Sequence, residues 1–154
     1  MRRLLLISLI AVRCGDRDRL QPVPEVTIAT SGRAAARVVV MAEAVATKES
    51  GPPETLRAFG EVYAFDPATF AVRRDEPTEV VFWNLQGDDE HDFMLLDSRN
   101  HVVAQFKLPP LSKTTRLFTF HREGLYRFYC TMHQPEMSGQ ITVLPARGPQ
   151  HDER

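Results

Sequence analysis

Residues 124–144 read Gly-Leu-Tyr-Arg-Phe-Tyr-Cys-Thr-Met-His-Gln-Pro-Glu-Met-Ser-Gly-Gln-Ile-Thr-Val-Leu. The first seven alternate as a β-strand does. Successive side chains point to opposite faces, so Tyr126, Phe128 and Cys130 share one face and Leu125, Arg127 and Tyr129 the other. The sulfur therefore belongs to the buried face, at a strand end. A turn follows, and Ser138 to Leu144 resumes the β pattern. Cys130, His133 and Met137 thus sit within eight residues on one strand-turn-strand connection.

A further candidate donor, His91, stands 39 positions upstream beside Asp92 and Phe93. One thiolate, two imidazoles and one thioether make a soft donor set that selects copper, with methionine as a weak axial ligand over a plane of two nitrogens and one sulfur. Zinc would accept the cysteine and histidines but gains little from a thioether. Met132 is an alternative sulfur donor, less favoured because it adjoins His133. The fourth corner must be brought in by the fold, so the site exists only once the sheets close.

Working outward, the pattern from Glu61 onward is β throughout. Glu61 to Phe65, Thr69 to Arg73, Thr78 to Asn84, Asp92 to Asp97, His101 to Phe106 and Thr114 to His121 are short runs separated by turn residues, the spacing of an all-β sandwich or barrel. Arg37 to Val45 is a first strand, a Gly-Pro-Pro loop follows, and Leu56 to Gly60 reads as a helical turn. With 154 residues and 43% hydrophobic content, the chain suits one core.

The N-terminus reads as a leader. Met1-Arg-Arg3 is a positive start, and Leu4 to Val12 is apolar apart from Ser8, too short to span a bilayer but right for a signal peptide. An exported protein, periplasmic or on the outer face of a membrane, is the expectation. Cys14 stands where bacterial lipoproteins carry lipid, although Arg13 departs from the small residue normal before it. Lipidation at Cys14, simple cleavage and a retained anchor stay open. On this reading residues 1–14 are leader, 15–36 a flexible tether, 37–145 the folded domain and 146–154 a disordered tail.

Removing residues 1–13 with their three arginines leaves a formal charge of about −4. A mildly acidic domain without basic-aromatic runs has no reason to bind nucleic acid. With Cys14 in the leader, Cys130 has no disulfide partner, and an unpaired thiol outside the cytoplasm is protected most simply by a metal.

Other candidates take ordinary roles. His101, His121 and His151 read as surface or hydrogen-bonded residues, Met41 and Met94 as core fillers, and Trp83 as core or near-core. Asp88-Asp89-Glu90 reads as a solvated turn, and at most one of Tyr126 and Tyr129 lines the metal pocket. No Ser-His-Asp order, phosphate loop or paired carboxylates point to catalysis, so the protein is not expected to be an enzyme.

The order Cys130, His133, Met137, Gly139, Ile141-Thr-Val143 resembles the copper loop of the cupredoxins, the blue copper family of plastocyanin, amicyanin and azurin. Tyr63 to Pro67, Val80 to Asn84 and His91-Asp-Phe93 extend the likeness over residues 60–144. The resemblance implies a Greek-key β-sandwich and one copper ion held by His91, Cys130, His133 and, axially, Met137. It further implies cycling between Cu(I) and Cu(II), one-electron transfer between redox proteins, and a monomer. It makes His133 the electron exit and places Asp92 where many members carry a residue, often Asn, that ties the two ligand loops. A dinuclear centre needs a second cysteine where Thr131 and Met132 stand. Copper storage, delivery or oxidase assembly is the alternative role.

Overall fold

The computed structural model describes residues 24–148; the expectations for the leader, Cys14, His151 and most of the 146–154 tail fall outside them. Among the described residues ten strands and one short helix run in the order β1 (Val26–Ala29), β2 (Ala36–Ala46), α1 (Pro53–Phe59), β3 (Val62–Asp66), β4 (Thr69–Arg73), β5 (Thr78–Asn84), β6 (His91–Leu96), β7 (Val102–Leu108), β8 (Ser112–Phe120), β9 (Gly124–Tyr129) and β10 (Ser138–Leu144). They form two five-stranded sheets, ordered β1-β8-β5-β2-β3 and β4-β10-β9-β6-β7. Two pairings, β2 with β5 and β4 with β10, are parallel and the rest antiparallel. Chain connections pass between the sheets at β3–β4, β4–β5, β5–β6, β7–β8 and β8–β9, giving a Greek-key sandwich rather than a barrel.

Alternation puts the aromatic residues of both inner faces into one core. Phe82 lies 4.7 Å, Phe128 5.0 Å and Phe106 5.4 Å from Phe93, ring centre to ring centre. Phe93, Leu95, Phe118, Phe120, Tyr126 and Phe128 are all fully buried. Each such ring removes a large apolar area from water, and tilted ring pairs add a further increment, so this cluster is the main source of cohesion between the sheets.

Register then fixes which loops share an end. Asn84 of β5 pairs with Ser112 of β8, and His91 of β6 with Leu108 of β7. The β5–β6 loop, the β7–β8 turn and the loop after β9 therefore gather at one pole. The segment between β2 and β3, which contains α1, joins them there, because Ala46 pairs with Val62.

Three expectations are corrected. The segment 15–36 is not all tether: Val26–Ala29 adds an edge strand to β8, and Glu25 clamps it by hydrogen bonds from Arg99 at 2.6 Å and Arg122 at 2.5 Å. Four residues are too few for a periodicity to stand out, and the pairing is long-range. Trp83 is not core, being 42% exposed; Phe82 and Asn84 take the inward direction, and the residue between them must face out. Met41 and Met94 are half-buried on the outer faces for the same reason. His101 and His121 are hydrogen-bonded surface residues as expected, to Asp97 and to Thr27 and Asp75.

Candidate metal centre

Four segments meet at the pole. His91 opens β6, Cys130 follows β9 directly, and His133 and Met137 lie on the turn that returns to β10. That turn is closed by its own backbone: Cys130 N–H donates to Met137 O at 2.9 Å and Met137 N–H to His133 O at 3.0 Å. The strand direction delivers Cys130 to the inside, and the turn brings His133 back over it.

His91 Nδ1 stands 3.1 Å from His133 Nδ1, Cys130 Sγ 3.6 Å from His133 Nδ1 and 3.9 Å from His91 Nδ1. A point equidistant from these three atoms lies about 2.1 Å from each, within the ~2.0–2.3 Å at which imidazole nitrogen and thiolate sulfur hold an ion such as zinc. His91, Cys130 and Met137 are completely buried, whereas His133 is half-buried and is the member of the group that reaches the surface. Two imidazole nitrogens, a soft sulfur and a buried thioether fit a type 1 copper centre; His91, Cys130 and His133 converge, and Met137 is buried on the same turn, its backbone oxygen bonded by Cys130 N–H.

Burial governs the protonation of the donor set. It lowers the His91 pKa to about 4, helped by the neighbouring His133 and opposed by Asp89 and Asp92. Burial also raises the Cys130 thiol. The histidine is thus ready to donate to a metal at neutral pH, while the thiol must lose its proton on binding.

Asp92 carries the support. Its carboxylate accepts Thr131 N–H at 2.6 Å, Thr131 Oγ1–H at 2.7 Å and Gln105 Nε2–H at 3.1 Å, and its own N–H points at Cys130 Sγ from 3.5 Å. Burial alone would raise its pKa, but the bonds from Thr131 and Gln105 outweigh that and hold it below the usual carboxylate value. Asn84 fastens the loop before His91, donating to Asp89 O at 2.8 Å and Leu108 O at 3.0 Å and accepting Gln86 N–H at 3.0 Å.

Two residues exceed the sequence reading. Tyr63 of β3 is buried against both histidines, its ring 5.0 Å from that of His91 and 4.5 Å from that of His133. Neither Tyr126 nor Tyr129 takes that place: Tyr126 bonds Arg122 O, and Arg122 closes the β8–β9 turn at the far end. Asp89 is not merely solvated either, since it accepts the Tyr63 hydroxyl proton at 2.5 Å. Burial and this bond raise the Tyr63 pKa, so the phenol stays a donor. Only a long-range contact reveals these roles; the signal in sequence was no more than an inward-facing aromatic in a strand.

No protein-family model and no curated protein matches the chain. Solved structures do. Auracyanin B aligns at a TM-score of 0.53 and 17% identity over 75% of this chain and 93% of its own. Auracyanin A, described as a "blue" copper protein from the green thermophilic photosynthetic bacterium Chloroflexus aurantiacus, aligns at 0.51 and 15% over 70% and 98%. A multicopper oxidase from Campylobacter jejuni, described as a metallo-oxidase, aligns at 0.55 and 10% over 75% of this chain and 31% of that one. The chain has the cupredoxin fold. Among the described residues no helix is long and apolar enough to cross a membrane.

Proposed function

We propose that this protein is a mononuclear type 1 copper protein that carries single electrons between redox partners outside the cytoplasm, with His91, Cys130 and His133 as the strong ligands and Met137 as the axial one. The observation that carries the reading is the convergence of two Nδ1 atoms and one Sγ on a common point, on a rigid β framework. Bound copper would supply a one-electron couple between its two oxidation states. The chain's part is to keep the donors still, because rearrangement between oxidation states adds to the barrier.

Burial supports this role over carriage of copper as cargo. Cys130 and His91 are wholly covered, so an ion held by them is poorly placed for hand-over to an acceptor's ligands, while half-buried His133 offers a path for an electron. Met137, buried on the same turn, is available as a fourth ligand that would close the position metal-ion catalysis requires, which supports a carrier over an enzyme. The leader-like N-terminus favours an exported location. A lipid attached at Cys14 would add a membrane tether.

The deciding experiment is to load the purified protein with copper(II) and record its visible and electron-spin spectra. Strong thiolate-to-copper absorption in the red, lost in Cys130→Ser, with a reversible potential and slow metal release, is the expected result. Ready transfer of copper to a chelating acceptor, without that absorption, would favour delivery instead.

A further inference from the structure

A metal-binding histidine is normally aimed by a hydrogen bond from its remote ring nitrogen to a carboxylate, carbonyl or water. His91 has no such partner among the described side chains and carbonyls: its buried Nε2 makes no hydrogen bond to them, so ring packing is what those residues supply to hold Nδ1 toward Cys130 and His133. His133 poses the same demand, since it sits on an exposed turn with Gln134, Pro135 and Glu136 in solvent.

One side chain contacts both rings. Tyr63, 2% exposed, lies edge-on to His91 at 64° and tilted at 46° to His133. The two imidazoles are themselves 4.8 Å apart and 63° from parallel, so the three rings form a closed triangle. Its third member is tied down at the far end, where the hydroxyl donates to Asp89, two residues before His91. Asp89 is held in turn through its backbone oxygen by Asn84. Thus β3, the loop that presents His91 and the turn that presents His133 are joined at a single aromatic ring.

We propose that Tyr63 is a positioning residue of this site: the packing of its ring sets the orientation of both ligand imidazoles, where His91 Nε2 has no hydrogen bond to another described residue. This rests on the copper reading for its purpose, but the ring contact can be tested first in protein prepared without metal. Without Tyr63, His91 would have a neighbouring void and His133 would be free to rotate about its side-chain bonds, so the two Nδ1 atoms would no longer be held 3.1 Å apart.

The test is nuclear magnetic resonance of the metal-free protein, followed by copper loading. In the wild type, cross-relaxation between the Tyr63 ring and both imidazoles and one set of His133 ring signals are expected; absence of the cross-peaks overturns the proposal whatever the variants do. Tyr63→Leu should broaden or double the His133 ring signals and weaken copper affinity about 10- to 100-fold, the range seen when groups that orient metal ligands are removed. Tyr63→Phe keeps the ring and should restore a single His133 conformer and the wild-type visible spectrum. Tyr126→Phe, altered at the opposite pole, serves as the control for a general loss of stability. A folded Tyr63→Leu protein with unchanged His133 signals and copper spectrum overturns the proposal. Failure of the wild type to give a thiolate-to-copper band would instead remove the copper reading and leave the ring contact to be judged by resonance alone.

Discussion

Asp92 and Thr131 are joined by two hydrogen bonds, from the Thr131 amide at 2.6 Å and from its hydroxyl at 2.7 Å, both to the one carboxylate. The residue after the first histidine thereby holds the residue after the cysteine. The two ligand loops come from strands that pair directly, β6 with β9, and this bond carries their registration beyond the last ladder pair to the metal donors. A negative charge is the unusual part. It sits beside Cys130, whose sulfur faces the Asp92 amide.

A fixed carboxylate next to the site favours the more positive oxidation state. Asp92→Asn keeps an acceptor for the Thr131 amide but removes the charge, and the reduction potential of the copper-loaded protein is expected to rise. Protein-film or equilibrium voltammetry checks this. A potential that stays the same or drops refutes it.

The metal-free protein should weaken on mild acidification. His91 is held near pKa 4 by burial, below its ordinary 6.5, so the unfolded chain binds the proton first. Stability is then complete above about pH 6.5 and declines as the pH falls toward 4, by an amount on the order of 3 kcal/mol if His91 acts alone. Asp92, also lowered, adds a further loss below the ordinary carboxylate range. Denaturant midpoints measured from pH 7.5 to 4 should show the first decline, and His91→Ala should flatten it.

Gly139 should not tolerate a side chain. A Cβ there would lie 2.1 Å from Ala68 O and 2.4 Å from Phe128 Cζ, and Ala68 O is already engaged by Gln140 N–H at 2.8 Å. Since backbone as well as a buried ring would have to move, Gly139→Ala is expected to cost about 3 kcal/mol or more, the upper end for overpacking. Urea denaturation measures it, and a midpoint within experimental scatter of wild type would refute the steric reading.

Metal binding should stabilise the fold selectively. Copper added in excess raises the melting temperature of a protein that binds it only when folded. Cys130→Ser and His133→Ala should lose most of that increase, while His101→Ala, whose ring bonds Asp97 on the surface, should retain it. Calorimetry with and without metal separates the two groups.

Much of this was legible in the chain. The β runs and their alternation placed Phe128 and Cys130 on the buried face, because a two-residue period is a local property of backbone geometry. Three of the four donors share one connection, so their spacing alone marked them. Val26–Ala29 was not legible, since a four-residue edge strand depends on β8 for its existence. Trp83 misled because hydrophobicity suggests burial, whereas its neighbours had already settled which direction was inward.

Amino-acid order by itself determined the kind of chemistry: a soft donor set, its local spacing, and strands able to carry it. Only the closed sandwich decided that His91 meets Cys130 from 39 residues away, that Asp92 reaches Thr131, and that Tyr63 wedges between two imidazoles. Those contacts depend on sheet order and register, which arise from packing between distant segments, and no local pattern encodes them.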